Sequence, residues 1–355
     1  GIRLMAYSTI PKGSLYMNTV LYSGTGSEHT ISGVSFQPDM TWLKSRTNSQ
    51  PHMLSDAVRG GSKQIYPNTD SAETSYSQYL KSFNSDGFVL GTDAGINASG
   101  QTYASWNWKA NGQGSANTAG SINTTYTSVN TTSGCSISQY TGNSTNGATV
   151  GHGLGAVPEM LIGKDLSDTS GWGVWHKDLT NAGYRLNLST TDAQADDTAL
   201  FGGSSRTAPT SSVFTLGGGG GLNGPNANIM YAFAPIKGYS RFNKFIGNGA
   251  TLGPFVYCGF KPSFIIIKDI TSTRSWIMVD NKRNTYNVVN NRLFPDAADA
   301  QNTAVDALDF LSNGFKIRST NSSVNVSGNT YIYMAFASNP FVATSGSDAV
   351  PVTAE

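Results

Sequence analysis

One marker occurs three times in this chain: a proline, a mostly apolar run, and a lysine six positions later. It reads Pro38-Asp-Met-Thr-Trp-Leu-Lys44, Pro158-Glu-Met-Leu-Ile-Gly-Lys164 and Pro262-Ser-Phe-Ile-Ile-Ile-Lys268. A threefold internal repeat constrains a fold more than any single motif, because each copy must be one supersecondary unit. Four further markers keep the same order. Tyr22-Ser-Gly-Thr-Gly26, Tyr140-Thr-Gly-Asn143 and Phe245-Ile-Gly-Asn-Gly249 open the copies. After each lysine come His52-Met-Leu-Ser-Asp56, Trp172-Gly-Val-Trp-His176 and Trp276-Ile-Met-Val-Asp280. Then follow Asp86-Gly-Phe88, Ser212-Val-Phe214 and Asn313-Gly-Phe315, and a closing aromatic strand that ends at Trp108, Phe233 or Phe336.

Each marker is a short run of β-branched or aromatic residues bounded by Gly, Asn, Asp or Pro, which is how strands read. Ile265 to Ile267 is apolar without alternation, so its strand is expected to be buried on both faces. Gly follows Asp86 and Asn313 between apolar runs, as in tight hairpins. The expected fold class is all-β: three tandem antiparallel β-sandwich modules, jelly-roll or lectin-like, with very little helix. Residues 296–311 and, more weakly, 71–80 are the helical candidates. The expected boundaries are an N-terminal arm (1–17), module one (18–110), a Gly/Ser/Thr/Asn-rich linker (111–133), module two (134–238), module three (239–343) and a C-terminal tail (344–355). The near absence of a spacer between copies two and three predicts that these two pack together.

Composition enters where it excludes functions. Only 13% of the 355 residues are charged and the net charge is +1, so no clustered basic surface is available for phosphate backbones. No stretch approaches the roughly 20 apolar residues of a membrane-spanning helix, and residues 1–9 lack the apolar core of a secretory signal. Cys135 and Cys258 stand at non-equivalent places and are read as free thiols. The four histidines (His29, His52, His152, His176) do not share metal-ligand spacing with one another or with a Cys or carboxylate, and neither a metal nor a cofactor is expected.

Asp56 and Arg59, and equivalently Asp280 and Arg283, read as ion pairs that close a turn after a strand. A glycosidic acid/base would need a second recurring carboxylate, which is missing, so no catalytic residue is assigned. His152, between two glycines, reads as a turn-stabilising side chain. The cluster Trp172, Trp175 and His176 is the candidate ligand site, by aromatic stacking on a glycan, with Trp42, Trp106 and Trp276 as further stacking candidates.

Some motifs carry a resemblance. His152-Gly-Leu-Gly-Ala-Val-Pro158 followed by Lys164 resembles a segment that recurs in phage tail-fibre and other virion proteins. Tyr22 to Gly26, Phe36-Gln-Pro38, Gly259-Phe-Lys-Pro262, Asp86 to Phe88 and Gly328-Asn-Thr-Tyr331 are similar to a repeat common in phages of aquatic bacteria. Copy one departs with Ser35 where copy three has Gly259, and copy two with Val213 in place of the Gly of Asp-Gly-Phe. The resemblance implies a non-enzymatic virion structural protein, in a tail fibre or other surface appendage, acting in particle architecture and host attachment. The expected partners are other virion proteins, a second copy of the chain in a homo-oligomer (a trimer above others) and a host surface glycan, without nucleic acid. The alternative is a carbohydrate-binding adhesin; a capsid decoration or head-fibre protein and a polysaccharide depolymerase rank lower.

Overall fold

The computed structural model describes residues 8–340; the expected tail and the first seven residues of the expected arm lie outside them. The first copy contributes β1 (Met17–Ser23), β2 (His29–Ile31), β3 (Met40–Ser45), β4 (Met53–Asp56), β5 (Lys63–Gln64), β6 (Thr74–Ser75), β7 (Leu80–Asn84), β8 (Gly87–Leu90) and β9 (Thr102–Trp108). The second contributes β10 (Thr124–Asn130), β11 (Cys135–Thr141), β12 (Thr149–Gly151), β13 (Met160–Asp165), β14 (Gly173–His176), β15 (Tyr184–Asn187), β16 (Ala195–Asp196), β17 (Val213–Thr215) and β18 (Ala227–Phe233). The third contributes β19 (Ser240–Ile246), β20 (Phe255–Tyr257), β21 (Phe264–Asp269), β22 (Ile277–Asp280), β23 (Leu308–Leu311), β24 (Gly314–Ile317) and β25 (Thr330–Phe336).

Sheet order repeats with the sequence. The large sheets run β1-β9-β3-β4, β11-β18-β13-β14 and β19-β25-β21-β22, and the second is extended by β10 at one edge and by β15 and β16 at the other. Over each lies a small sheet: β2-β8-β7, β12-β17 or β20-β24-β23. The pairings are antiparallel, and each module is a β-sandwich. The fold class is therefore all-β.

The strands that carry the Pro-x5-Lys marker, β3, β13 and β21, are buried along their whole length. In β3 and β21, alternation sorts the side chains between two cores. Leu43 packs with Ile31 and Phe88 inside the first sandwich, and Ile265 and Ile267 pack with Val256 and Phe315 inside the third. Met40, Trp42, Phe264 and Ile266 turn the other way, into one core shared by all three modules. That second burial is why the run at 265–267 shows no polar alternation.

Equivalent aromatics meet in the shared core. The rings of Trp108, Phe233 and Phe336, each the last residue of its closing strand, lie with centroids 6.4 Å (Trp108–Phe233), 6.0 Å (Trp108–Phe336) and 6.1 Å (Phe233–Phe336) apart. Such pairs contribute about 0.5–1.5 kcal/mol each beyond burial. The modules thus surround a common centre, and all three pack together, beyond the expected contact of copies two and three.

Three local expectations are corrected. Residues 111–133 are not a plain linker: the β-branched run within them forms β10, which pairs with β11 from Thr124↔Tyr140 to Asn130↔Cys135. Neither helical candidate is helical; residues 308–311 are β23 and residues 74–75 are β6, and the short helices are α1 (Ala94–Asn97) and α2 (Ser322–Asn325). The described part of the arm packs on its own chain: Ile10 is buried and the Ser14 N–H donates to the Ser338 carbonyl at 2.9 Å.

Repeat irregularities have local causes. Ser35 holds the left-handed φ of 75° that Gly259 (81°) and Gly155 (68°) hold in the other copies. The Asp86 carboxylate fixes it by accepting the N–H of Gly33 at 3.0 Å and of Ser35 at 2.6 Å. A Cβ on Gly87 or Gly314 would lie 1.9 Å or 2.1 Å from a carbonyl oxygen of the neighbouring strand. Among the described residues, module two has no third strand in its small sheet, and there Val213 stands instead.

Candidate functional site

The residues singled out in the sequence converge on the seams between modules, and they do so cyclically. Register places Trp106, Tyr231 and Met334 at one equivalent position, opposite Trp42, Ile162 and Ile266. The Trp106 indole N–H donates to Asp280 of module three at 3.0 Å, and the Tyr231 hydroxyl donates to Asp56 of module one at 2.6 Å. Module two thus reaches module one, and module one reaches module three.

The Asp-x-x-Arg pairs build these contacts. Asp56 Oδ2 bonds Arg59 Nε at 2.6 Å and its Oδ1 takes the Arg59 backbone N–H at 2.9 Å. Asp280 and Arg283 repeat this at 2.5 Å and 2.8 Å. Of each guanidinium only Nε reaches its aspartate, so the pairing is not a bidentate fork. The remaining guanidinium donors turn elsewhere: Arg59 to Glu73 and the Leu54 carbonyl, Arg283 to the Met278 carbonyl. Arg283 also lies over the Trp106 ring, 5.3 Å from its centroid. Burial opposes the charge on Arg59, but Asp56, Tyr231 and Glu73 outweigh it and raise its pKa. Burial, then Asp56, raises the Tyr231 pKa well above its ordinary value. Module two lacks the pair, with His176 and Leu179 in its place, and module three lacks the donor, with Met334. Both halves of that third contact have changed together.

A second cyclic set uses the first residue of the marker after the lysine. Trp172 Nε1 donates to the carbonyls of Tyr66 (3.0 Å) and Thr69 (3.2 Å) in module one. Trp276 Nε1 donates to the Asn187 carbonyl in module two at 3.0 Å. His52 faces the Phe294 and Ala297 carbonyls of module three, and its Nδ1 accepts from Trp42 Nε1 at 2.8 Å.

The marker lysines are buried. Lys44 donates to the Ser45 carbonyl at 2.9 Å, Lys164 to those of Asp165 (2.7 Å) and Asp168 (2.9 Å), and Lys268 to those of Thr191 (2.8 Å) and Arg274 (2.5 Å). Burial pushes Lys44 and Lys268 down to about 8 and lowers Lys164, while Asp299, Asp192 and Asp70 from the preceding module pull back. The prolines Pro38, Pro158 and Pro262 stand two residues before the strands that carry these lysines. A buried lysine is costly unless its donors are satisfied, and here each spans the loop that follows its own strand.

The candidate glycan site is corrected. Trp172, Trp175 and His176 are 1%, 5% and 1% exposed, and Trp42, Trp106 and Trp276 are equally buried. Their rings fill seams and cores, which leaves no face for a sugar. Burial pushes His176 down to about 3, and its Nδ1 accepts the Asp178 N–H at 3.1 Å. His152 is also buried; its Nδ1 accepts the Leu154 N–H at 3.2 Å within the turn. Cys135 and Cys258 are free and buried, and burial raises both thiols far above neutral pH. Among the described residues, no group of three His, Cys, Asp or Glu side chains is placed to hold a metal ion, and no helix is long and apolar enough to cross a membrane.

One device repeated in all three copies is not legible in the sequence. Asn97, Asn223 and Asn325, all buried, each stand shortly before the closing strand. Their side-chain amides donate to Gly91, Gly217 and Ser319 carbonyls, and their Oδ1 atoms accept from Thr25, Asn143 and Asn248 N–H groups. The signal was an Asn after Ile96, Leu222 and Val324 in a chain where Asn is otherwise common.

Open clefts lie on two seams. One of about 410 Å³ between modules one and three includes Lys12, Asn18 and Lys282. One of about 520 Å³ between modules two and three includes Glu159, Lys177, Arg241 and Tyr257.

The extent of the family match agrees with the ring as the unit. A family described as a domain of unknown function, DUF7483, matches residues 12–340. The chain belongs to this family. The DUF7483 match runs through all three modules, so the family's unit is the closed set and not one sandwich. No curated protein matches the chain.

Proposed function

We propose that this DUF7483 domain is a non-enzymatic structural component of a phage particle, in a tail fibre or another surface appendage, where it serves architecture and host attachment. The observation that carries this reading is where the repeated ionisable groups go. Asp56, Arg59, Asp280, Arg283, Lys44, Lys164 and Lys268 are all consumed inside the molecule, in seams and loop closures. What the copies keep in common is joinery. The motif resemblance to tail-fibre and other virion proteins supplies the particle context. Three modules in one chain already form a ring, and the described part of the arm packs in cis, so the chain is read as one ring per copy. Its place in a virion is tested by antibody gold labelling of purified particles. Label on a tail or surface appendage supports the reading, and particles that lack the chain overturn it.

The adhesin reading keeps one observation. Tyr286 is 75% exposed and borders a cleft of about 350 Å³ with Lys282 and Asn284. An exposed ring beside amides and an ammonium group suits a glycan. A glycan array read with the chain and with Tyr286→Ala tests it; binding unchanged by the substitution would sink it.

A further inference from the structure

The three seams present the same groove three times, and among the described residues only the first holds an added strand, β10. Asp39, Glu159 and Ser263 follow the marker prolines and are equivalent by their backbone bonds. Their N–H groups donate to the carbonyls of Trp108, Phe233 and Phe336 at 2.9, 2.8 and 2.7 Å, and their carbonyls accept from Ala57, Lys177 and Asn281 at 2.8, 3.0 and 3.0 Å.

In the groove between modules one and two, the Asp39 carboxylate accepts the N–H groups of Ala110 at 2.6 Å and Gly112 at 3.0 Å. The chain then covers the open side of module two. Ile122 bridges Val150 on the edge strand β12, and β10 pairs along β11.

In the groove between modules two and three, Glu159 stands where Asp39 stood. Ala234 corresponds to Lys109, since their N–H groups donate equivalently to Gly134 and Tyr16. Pro235 therefore takes the place of Ala110 and has no N–H to give. The Glu159 carboxyl is half-buried, its pKa is raised by burial, and it borders the 520 Å³ cleft. Among the described residues, no strand pairs with the outer edge of β19 or of β20. Side chains there are apolar where the other modules are polar. Phe255 and Tyr257 are 46% and 53% exposed, and the register puts Thr30 and Ser32, or Thr149 and Gly151, at their places. Ile246, 63% exposed, stands where the first two modules have Ser23 and Thr141.

We infer that the groove between modules two and three docks an extended strand of a different protein chain, uncharged and rich in Gly, Ser and Thr as residues 110–130 are. Added strands gain affinity from main-chain hydrogen bonds and specificity from side-chain pockets. The incoming strand places backbone N–H groups on Glu159, pairs along β19, and lays apolar side chains on Phe255 and Tyr257. Residues 234–239 run directly into β19, so this connection does not enter the groove as residues 110–130 enter the first one. A second copy has its own 110–130 segment already seated on β11. The groove between modules three and one lacks the acceptor: the Ser263 hydroxyl donates to the Phe336 carbonyl at 3.1 Å.

The test uses the full chain and a synthetic peptide of its residues 110–130 as the probe strand, read by calorimetry and hydrogen exchange. The expected result is saturable binding with slowed exchange at 240–246 and 255–257. Glu159→Gln should weaken it about tenfold and Phe255→Thr with Tyr257→Ser should abolish it, with thermal unfolding of both variants unchanged. Absent protection at β19 and β20, or protection confined to 135–141, overturns the inference. So does a chain that dimerises by itself through this groove and is made monomeric by Phe255→Thr, since the partner would then be a second copy.

Discussion

Trp106 and Asp280, 174 residues apart, share a buried hydrogen bond of 3.0 Å that ties the closing strand of the first module to the turn of the third. The same carboxylate neutralises Arg283, so one side chain serves a turn and a seam. Asp280→Ala leaves the guanidinium buried and unpaired, an error that costs about 3–5 kcal/mol. Trp106→Phe removes only the donor and some packing and should cost less, about 1–3 kcal/mol. Chemical denaturation of both variants and of the double variant checks this. The combined loss should fall short of the sum, because the two share one contact.

Acid should loosen the seams before it unfolds the sheets. His52 and His176 are both neutral in the folded chain, chiefly because burial penalises the cation; His52 is lowered well below 6.5 and His176 to about 3. Both folded values lie below the unfolded one, so the unfolded chain binds the extra protons as pH falls. Stability is fully present above about pH 6.5 and is lost below it, by about 1.4 kcal/mol per pH unit for each histidine. Melting temperature against pH from 7 to 4 should show this slope, and His176→Gln should flatten part of it.

The repeat predicts opposite outcomes for two glycine exchanges. Ser35→Gly relieves a left-handed residue and should stabilise the chain by up to about 1 kcal/mol. Gly314→Ala drives a Cβ into the Val256 carbonyl, 2.1 Å away, and should destabilise by at least about 1–3 kcal/mol. Thermal melts of both variants decide it.

Asn97→Ala and Asn325→Ala should each cost about 1–3 kcal/mol, because each strands buried backbone groups that the amide now satisfies. Faster amide exchange at Thr25 or Asn248, respectively, would locate the loss. Asn→Asp at either site should fail to rescue, since a carboxylate has no N–H for the carbonyls.

What could be read from the sequence followed from local physics. Strand runs, the doubly buried 265–267 and the Asp-x-x-Arg turns are set by residues near one another in the chain. Part of what could not be read depended on partners more than a hundred positions away. Trp172 looks like a stacking platform until its indole N–H is seen to reach the Tyr66 and Thr69 carbonyls of another module. Residues 111–133 look like a linker because Thr counts as a loop residue in such a chain, yet Thr and Val are also strand formers once an edge such as β11 is offered. The cyclic order of the seams came from neither composition nor spacing; it needed the positions of Trp106, Tyr231 and Met334 relative to the preceding module.

The central claim is that three sandwiches form one closed body. All six tryptophans are buried in it, spread over the three modules. Equilibrium denaturation followed by tryptophan fluorescence and by far-ultraviolet circular dichroism tests the claim most directly. Coincident single transitions are predicted, with Asp280→Ala shifting both curves together. Separate transitions, with one module melting while the other two keep their signal, would contradict it.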